Sequence, residues 1–326
     1  MQTDEYVALN YTQVLIEQWM AQIEKVILGK RDRIELAVIA LLCRGHMLLE
    51  DVPGVGKTML VRALAKTISG EFARIQFTPD VLPSDVTGVS MYNPKTMEFE
   101  YRPGPIMANV VLADEINRTS PKTQSALLEA MEERKVTVDG ITYRLPEPFL
   151  LMATQNPLDF EGTYPLPEAQ LDRFLMKINL GYPEAAYERL MLDRLKERQP
   201  IEQVKPVMLQ KELVLLQQQV SQIHVDASLK AYIVHLVAST RTHPQLRLGA
   251  SPRASIGLMQ AAQAKALLAD RTFVIPDDIK ALALQVLGHR VILNTEAKLL
   301  GHSVEQVLQD IVQSASVPAV KVAAGS

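Results

Sequence analysis

Residues 51–58 read DVPGVGKT and residues 110–115 read VVLADE. The first stretch follows a short apolar strand, HMLLE at 46–50, and passes through a glycine-bearing turn into Lys57 and Thr58. Beyond it, Leu60, Leu64 and Ile68 form one stripe at helical spacing. Strand, glycine turn and helix start make a phosphate cradle, because the N–H groups of the turn converge on one spot. Lys57 is placed to reach the β- and γ-phosphates of a nucleoside triphosphate, and Thr58 to bind magnesium. The second stretch is an apolar strand ending in two carboxylates. Asp114 suits the magnesium shell, and Glu115 suits the orientation and polarisation of an attacking water.

One position departs from the strict phosphate-loop pattern: Asp51 stands six residues before Lys57, where glycine is usual. That glycine serves entry into the turn more than phosphate contact. Gly54 and Gly56, nearest the phosphates, are present. The expected nucleotide-binding stretch is Asp51, Val52, Pro53, Gly54, Val55, Gly56, Lys57, Thr58 and Met59.

Working outward, residues 13–27 place Leu15, Trp19, Ile23 and Val26/Ile27 at helical spacing, and 32–43 read as a second apolar helix. Further strands are expected at 73–77, 109–114, 149–154 and 174–180. Strands alternating with helices, several apolar on both faces, predict a parallel five-stranded sheet covered on both sides. Nucleotide sites lie at the carboxyl ends of such strands. After Tyr182-Pro183 the pattern turns helical to about residue 312, with Leu213, Leu216, Val220 and Ile223 in helical spacing. The expected architecture is therefore an α/β core over 1–182 and a smaller all-α lid domain over 183–326, ending in a loosely ordered tail (314–326). Residues 89–105 and 135–146 read as β-hairpins, the second around Asp139-Gly140.

Bulk properties narrow the class. The chain has 326 residues, 48% of them hydrophobic, enough for two globular domains. Its net charge of −3 argues against nucleic acid as the partner. The one cysteine, Cys43, lies in an apolar run and reads as packing, so the chain fits a reducing, cytoplasmic setting. The six histidines form no metal-ligand pattern. The N-terminus does not read as a signal peptide, and no apolar run approaches the roughly 18 residues a membrane span needs.

Three further polar residues complete the pattern. Asn156, in ATQNP (153–157), follows a strand beside the acidic one and is in reach of an attacking water or a γ-phosphate. Arg173, in EAQLDRF (168–174), precedes the last strand, and Arg253, in GASPRAS (249–255), opens a helix. An arginine gains nothing from a helix N-terminus, so a nearby anion accounts for it better.

The order of these elements resembles the AAA+ ATPases, and most of all the MoxR family, across residues 26 to about 300. The stretches LEDVPGVGKT (49–58), QFTPDVLPSDVTG (76–88), ADEINRTSPKTQSALLEAMEE (113–133), MATQNPLDFEGTYPLPEAQLDRF (152–174) and GASPRA (249–254) carry the likeness. The Asp at position 51 is usual in that family. The resemblance implies ATP with Mg2+, Asn156 as first sensor, Arg173 as an arginine finger given to a neighbouring subunit, and Arg253 as second sensor. It places the start of the adenine pocket at Gly29 and Lys30. It implies ring hexamers, chaperone-like remodelling or maturation of protein partners, and partners with a von Willebrand factor A domain or a metalloenzyme needing its cofactor. The two hairpins correspond to the helix-2 insert and the pre-sensor hairpin. Two other readings compete: a nucleotide-dependent switch or scaffold with negligible turnover, and a DNA-handling motor.

Overall fold

The apolar runs that predicted buried strands do form them, because a strand covered on both faces must be apolar throughout. In the computed structural model, residues 2–156, 163–194 and 200–317 are described, with side chains for all but 2–11 and 194. The expectations for 157–162 and for the tail beyond 317 lie outside the described residues.

The elements of the first part of the chain are α1 (Gln2–Glu24), α2 (Arg31–Leu42), β1 (Met47–Glu50), α3 (Lys57–Thr67), β2 (Phe72–Gln76), α4 (Pro83–Thr87), β3 (Gly88–Asn93), β4 (Glu98–Pro103), β5 (Val110–Asp114) and α5 (Pro121–Glu133). There follow β6 (Lys135–Val138), β7 (Ile141–Arg144), β8 (Leu150–Gln155), α6 (Glu168–Leu171), β9 (Met176–Ile178), α7 (Ala185–Arg194), α8 (Pro200–Gln203) and α9 (Gln210–Gln222). The later elements are α10 (Ala227–Thr242), β10 (Leu246–Leu248), α11 (Pro252–Leu268), α12 (Pro276–Leu287), β11 (Ile292–Leu293), α13 (Thr295–Leu299) and α14 (Val304–Ser314).

Five strands form one sheet in the order β2-β5-β8-β1-β9. The pairs β2–β5, β5–β8 and β1–β8 are parallel, with Gln76 opposite Asp114, Ala113 opposite Ala153 and Glu50 opposite Gln155. All of β5 is buried, as is β8 up to Thr154. The register sets β8 between β1 and β5, so its tip separates the phosphate loop from the acidic pair.

The chain divides into two compact units, each discontinuous. The α/β unit comprises Val14–Gln170 and Ile178–Leu215. The helical unit comprises Met1–Gln13, Leu171–Lys177 and Leu216–Ser326. This division differs from a single cut after residue 182: α7 and α8 go with the α/β unit, and the short segment around Arg173 goes with the helical one.

Inside the α/β unit, α3 buries Leu60, Val61 and Leu64. Trp19 is fully buried, and its indole N–H donates to Thr67 Oγ1 at 2.9 Å, which pins the end of α1 to the end of α3. Both hairpins form where expected. Asp139 and Gly140 adopt positive φ (50° and 80°), as a tight two-residue turn requires. The Tyr101 ring of β4 stacks on the Tyr143 ring of β7 at 4.0 Å, joining one hairpin to the other.

The helical unit buries one face each of α10, α11, α12 and α14. The sequence led to the expectation of an all-α domain here, and the structure corrects it: β10 and β11 pair antiparallel, with Leu246 opposite Leu293. Strands of two or three residues are too short to show a period of two.

His46, just before β1, illustrates how the core constrains charge. Its Nδ1 accepts the Leu151 N–H at 3.0 Å, and its ring meets Phe149 edge-on at 5.5 Å. Burial, helped by the nearby Arg134, depresses its pKa to about 3. The folded state therefore binds fewer protons than the unfolded one between pH 3 and the ordinary value of 6.5, so this contribution is present above pH 6.5 and is lost as pH falls. Urea midpoints measured from pH 7 to pH 4 should fall progressively. His46→Asn, whose side-chain oxygen can accept the same N–H without titrating, should start lower at pH 7 and show a flatter profile.

Candidate functional site

The phosphate loop is a geometric consequence of β1 ending at Glu50 and α3 starting at Lys57. Gly56 sits at the helix N-cap with φ of 96°, a left-handed conformation that a side chain would strain. No side chain caps α3 there. The N–H groups of its first turn are thus presented to an anion at the positive end of the helix dipole. Lys57 Nζ donates to the Asp51 carbonyl at 2.8 Å, which folds the lysine back along the loop.

Asp51 explains its own departure from the glycine pattern. Its carboxylate is buried and accepts the backbone N–H groups of Leu180 and of Gly181, the latter at 3.1 Å. One side chain thereby ties the start of the phosphate loop to the turn that follows β9. A glycine could offer those amides nothing.

Beside the loop lies a cavity of about 330 Å³. Its walls include Val26, Ile27, Met59, Pro183 and Met191, with Gly54 and Gly56 at the phosphate end. Such an apolar slot suits a flat base. Gly29 has φ of 67°, and a Cβ there would stand 2.3 Å from the Tyr187 ring, so only glycine lets α7 approach. Lys30 lines the cavity, and its ammonium is held by the Tyr182 carbonyl at 2.8 Å. Tyr187 and Met191 were not singled out in the sequence; nothing in their own stretch ties them to a loop more than a hundred residues away.

The acidic pair sits at the tip of β5. Asp114 Oδ1 accepts the Thr154 hydroxyl at 2.6 Å, and Asp114 Oδ2 accepts Arg74 Nη2 at 2.5 Å and Nε at 3.1 Å. Glu115 adopts φ 58°, ψ 49°, a left-handed conformation rare outside glycine. Its N–H donates to Thr154 Oγ1 at 2.8 Å. The Thr154 hydroxyl thus holds both members, donating to one and accepting from the other. Glu115 Oε2 accepts Gln76 Nε2 at 3.2 Å and Arg118 Nη1 at 3.0 Å.

Sequence reasoning singled out Asn156 and missed Thr154, Arg74, Gln76 and Arg118. Asn156 follows the last residue of β8 and is half-buried. Thr154 lies in the same ATQNP stretch, and its role becomes visible only once β8 is known to pair with β5. Arg173 lies between α6 and β9, and Arg253 is the second residue of α11. Both belong to the helical unit. The remaining candidates belong to the α/β unit.

Asp51→Gly would restore the strict phosphate-loop pattern, yet it should weaken the site. Two amides lose their acceptor, which costs about 2 kcal/mol in urea denaturation. Affinity for a fluorescent ATP analogue should drop by about tenfold. Equal or tighter binding by the glycine variant would contradict the tie to residues 180–181.

Comparison with known proteins follows the same lines. Residues 46–176 match the ATPase family associated with various cellular activities (AAA), and residues 238–311 match the AAA lid domain. The chain is 59% identical to the uncharacterized protein YeaC of Bacillus subtilis, covering 93% of this chain and 95% of that one. It is 43% identical to Chaperone MoxR1 of Mycobacterium tuberculosis, covering 94% of this chain and 83% of the relative. A crystal structure of a candidate ATPase from Cytophaga hutchinsonii superposes with a TM-score of 0.92 at 39% identity, over 98% of this chain and 99% of that one.

Proposed function

This chain belongs to the MoxR family of AAA ATPases, and we propose that it couples magnesium-dependent ATP hydrolysis to the remodelling or maturation of a protein partner. ATP binding and hydrolysis come with the family. The observation that carries the catalytic reading is the shared Thr154 hydroxyl, which fixes Asp114 and Glu115 together at the strand tip.

The donor set fits magnesium. Thr58, in the first turn of α3, and Asp114 supply hard oxygen ligands, and among the described residues no cluster of three or more His, Cys, Asp or Glu competes as a metal site. Few protein ligands are what Mg2+ prefers, since it keeps waters and substrate phosphates in its shell. When bound, it would neutralise charge on the phosphates.

The chain's own residues do the rest. The amides of the loop and of α3 hold phosphate oxygens, and Lys57 adds a positive charge beside them. Asp51 keeps the loop in shape. Glu115 orients and polarises the water, and Asn156 steadies it or the γ-phosphate. Arg173 is given to a neighbouring subunit, where it stabilises charge that develops in the transition state, and Arg253 acts as the second sensor. An arginine supplied in trans requires an oligomer, and a hexameric ring is the proposed one.

Partner remodelling is supported by the name of the relative, a chaperone, and by the two hairpins. The β3–β4 hairpin exposes Tyr92, Met97 and Phe99, and its link to the second hairpin through Tyr101 and Tyr143 gives the pair a common frame. A partner carrying a von Willebrand factor A domain, or a metalloenzyme awaiting its cofactor, is proposed. Among the described residues no helix is long and apolar enough to cross a membrane. The net charge of −3 favours a protein client over DNA.

Lys57→Ala should abolish binding of a fluorescent ATP analogue. Glu115→Gln should keep that binding and lose steady-state phosphate release. Wild-type turnover in the glutamine variant would remove Glu115 from its role.

Arg173→Ala should leave ATP affinity nearly intact and cut hydrolysis by about a thousandfold or more. Mixing it with Lys57→Ala subunits should recover activity, one partner bringing a working loop and the other a working arginine. No recovery in rings shown to exchange subunits would end the in-trans assignment.

A further inference from the structure

Arg290, just beyond the C-terminal end of α12, is almost wholly buried. Burial pulls its pKa down, and Asp172 works against that. A buried guanidinium survives only if its donors are spoken for. Arg290 Nε donates to Asp172 Oδ1 at 2.9 Å, and Nη2 to the carbonyls of Phe174 at 2.7 Å and Asp172 at 3.2 Å. Nη1 donates to the Leu175 carbonyl at 3.1 Å and to the Val286 carbonyl. One fork thus grips three carbonyls and a carboxylate of the short stretch 172–175.

Other groups of the same unit grip that stretch too. His289 Nε2 donates to the Phe174 carbonyl at 3.0 Å. The Ser251 hydroxyl donates to Asp172 Oδ2 at 2.8 Å and accepts the Arg253 N–H at 3.1 Å. Gly257, inside α11, is where a Cβ would stand 3.1 Å from Leu175 Cδ1. A helix interior tolerates glycine poorly, so its presence marks the close approach of this segment.

Arg173 lies between the two clamped residues, Asp172 and Phe174. Arg253 is joined to Asp172 through a single serine. We infer that Arg290 is the positioning residue for Arg173, and that Arg290, Asp172 and Ser251 set Arg173 and Arg253 in one rigid frame. The two arginines then move together whenever the helical unit moves. This rests on the reading of Arg173 as an arginine supplied in trans. Arg290 itself touches neither nucleotide nor water in this role; it acts through the backbone on both sides of Arg173.

The test uses Arg290→Lys in the full chain. Lysine keeps the charge but is a single point, unable to span carboxylate and carbonyls as the fork does. Hydrogen exchange should speed up at amides 172–177 by about tenfold, with the interiors of α11 and α12 unchanged. ATP-analogue affinity should stay within about twofold of wild type, and hydrolysis should fall by about tenfold or more, since small displacements of a charge-stabilising group are costly. Mixing with Lys57→Ala subunits should restore it, which general loss of the lid would not allow.

Ser251→Ala, which spares the ion pair, serves as the second variant and should show about a threefold loss of hydrolysis with the same rescue. Unchanged exchange at 172–177, or unchanged hydrolysis in both variants, overturns the inference. So does loss of hydrolysis that mixing does not restore, while Arg173→Ala is restored in parallel. If Arg173→Ala also fails to recover, the in-trans reading has failed, and the role of the frame falls with it.

Discussion

A parallel sheet delivers every strand tip to the same edge, and this one constraint organises the α/β unit. Because β8 lies between β1 and β5 in register, three unrelated stretches of sequence end side by side. The phosphate loop follows one tip, the acidic pair ends another, and Thr154 stands between them. Because β8 pairs directly with β5, the Thr154 hydroxyl reaches both Asp114 and the N–H of Glu115.

Charge balance around the acidic pair follows from the same edge. Two adjacent carboxylates repel each other, and the neighbouring strand and turn answer with cations. Arg74 reaches Asp114 from β2, and Arg118 reaches Glu115 from three residues further along the chain. These arginines are about half exposed, so their pairs are screened and contribute modestly to stability. Their larger effect is on direction: they hold the carboxylate oxygens at fixed places around a site that must receive phosphate and metal. The left-handed backbone at Glu115 is tolerated because Thr154 captures its N–H.

The loop side of the site uses a different device. Asp51 trades the freedom of a glycine for two charge-assisted hydrogen bonds to the amides of residues 180 and 181. That trade joins the first strand's loop to the chain that leads into α7, whose Tyr187 and Met191 complete the base cavity. The helical unit follows the same economy. A single buried arginine, Arg290, organises the stretch that carries Arg173, and the N-cap serine of α11 links it to Arg253.

Much of this was legible in one dimension. The apolar strand runs, the glycine turn before Lys57, the acids at 114 and 115 and the Asp-Gly hairpin each announce themselves by local spacing, and local spacing is what a backbone of fixed geometry converts into strands, cradles and turns. What the tertiary structure alone decided are the relations between distant stretches. The purpose of Asp51 depends on residues 180–181, that of Thr154 on Asp114, that of Gly29 on Tyr187, and that of Asp172 on Arg290. Each is a contact across tens to more than a hundred residues, and no periodicity encodes such a pairing. The membership of residues 171–177 in the helical unit is of the same kind. Its sequence reads as the lead-in to the last strand; the guanidinium of Arg290, the ring of His289 and the serine at the head of α11 draw it to the helices.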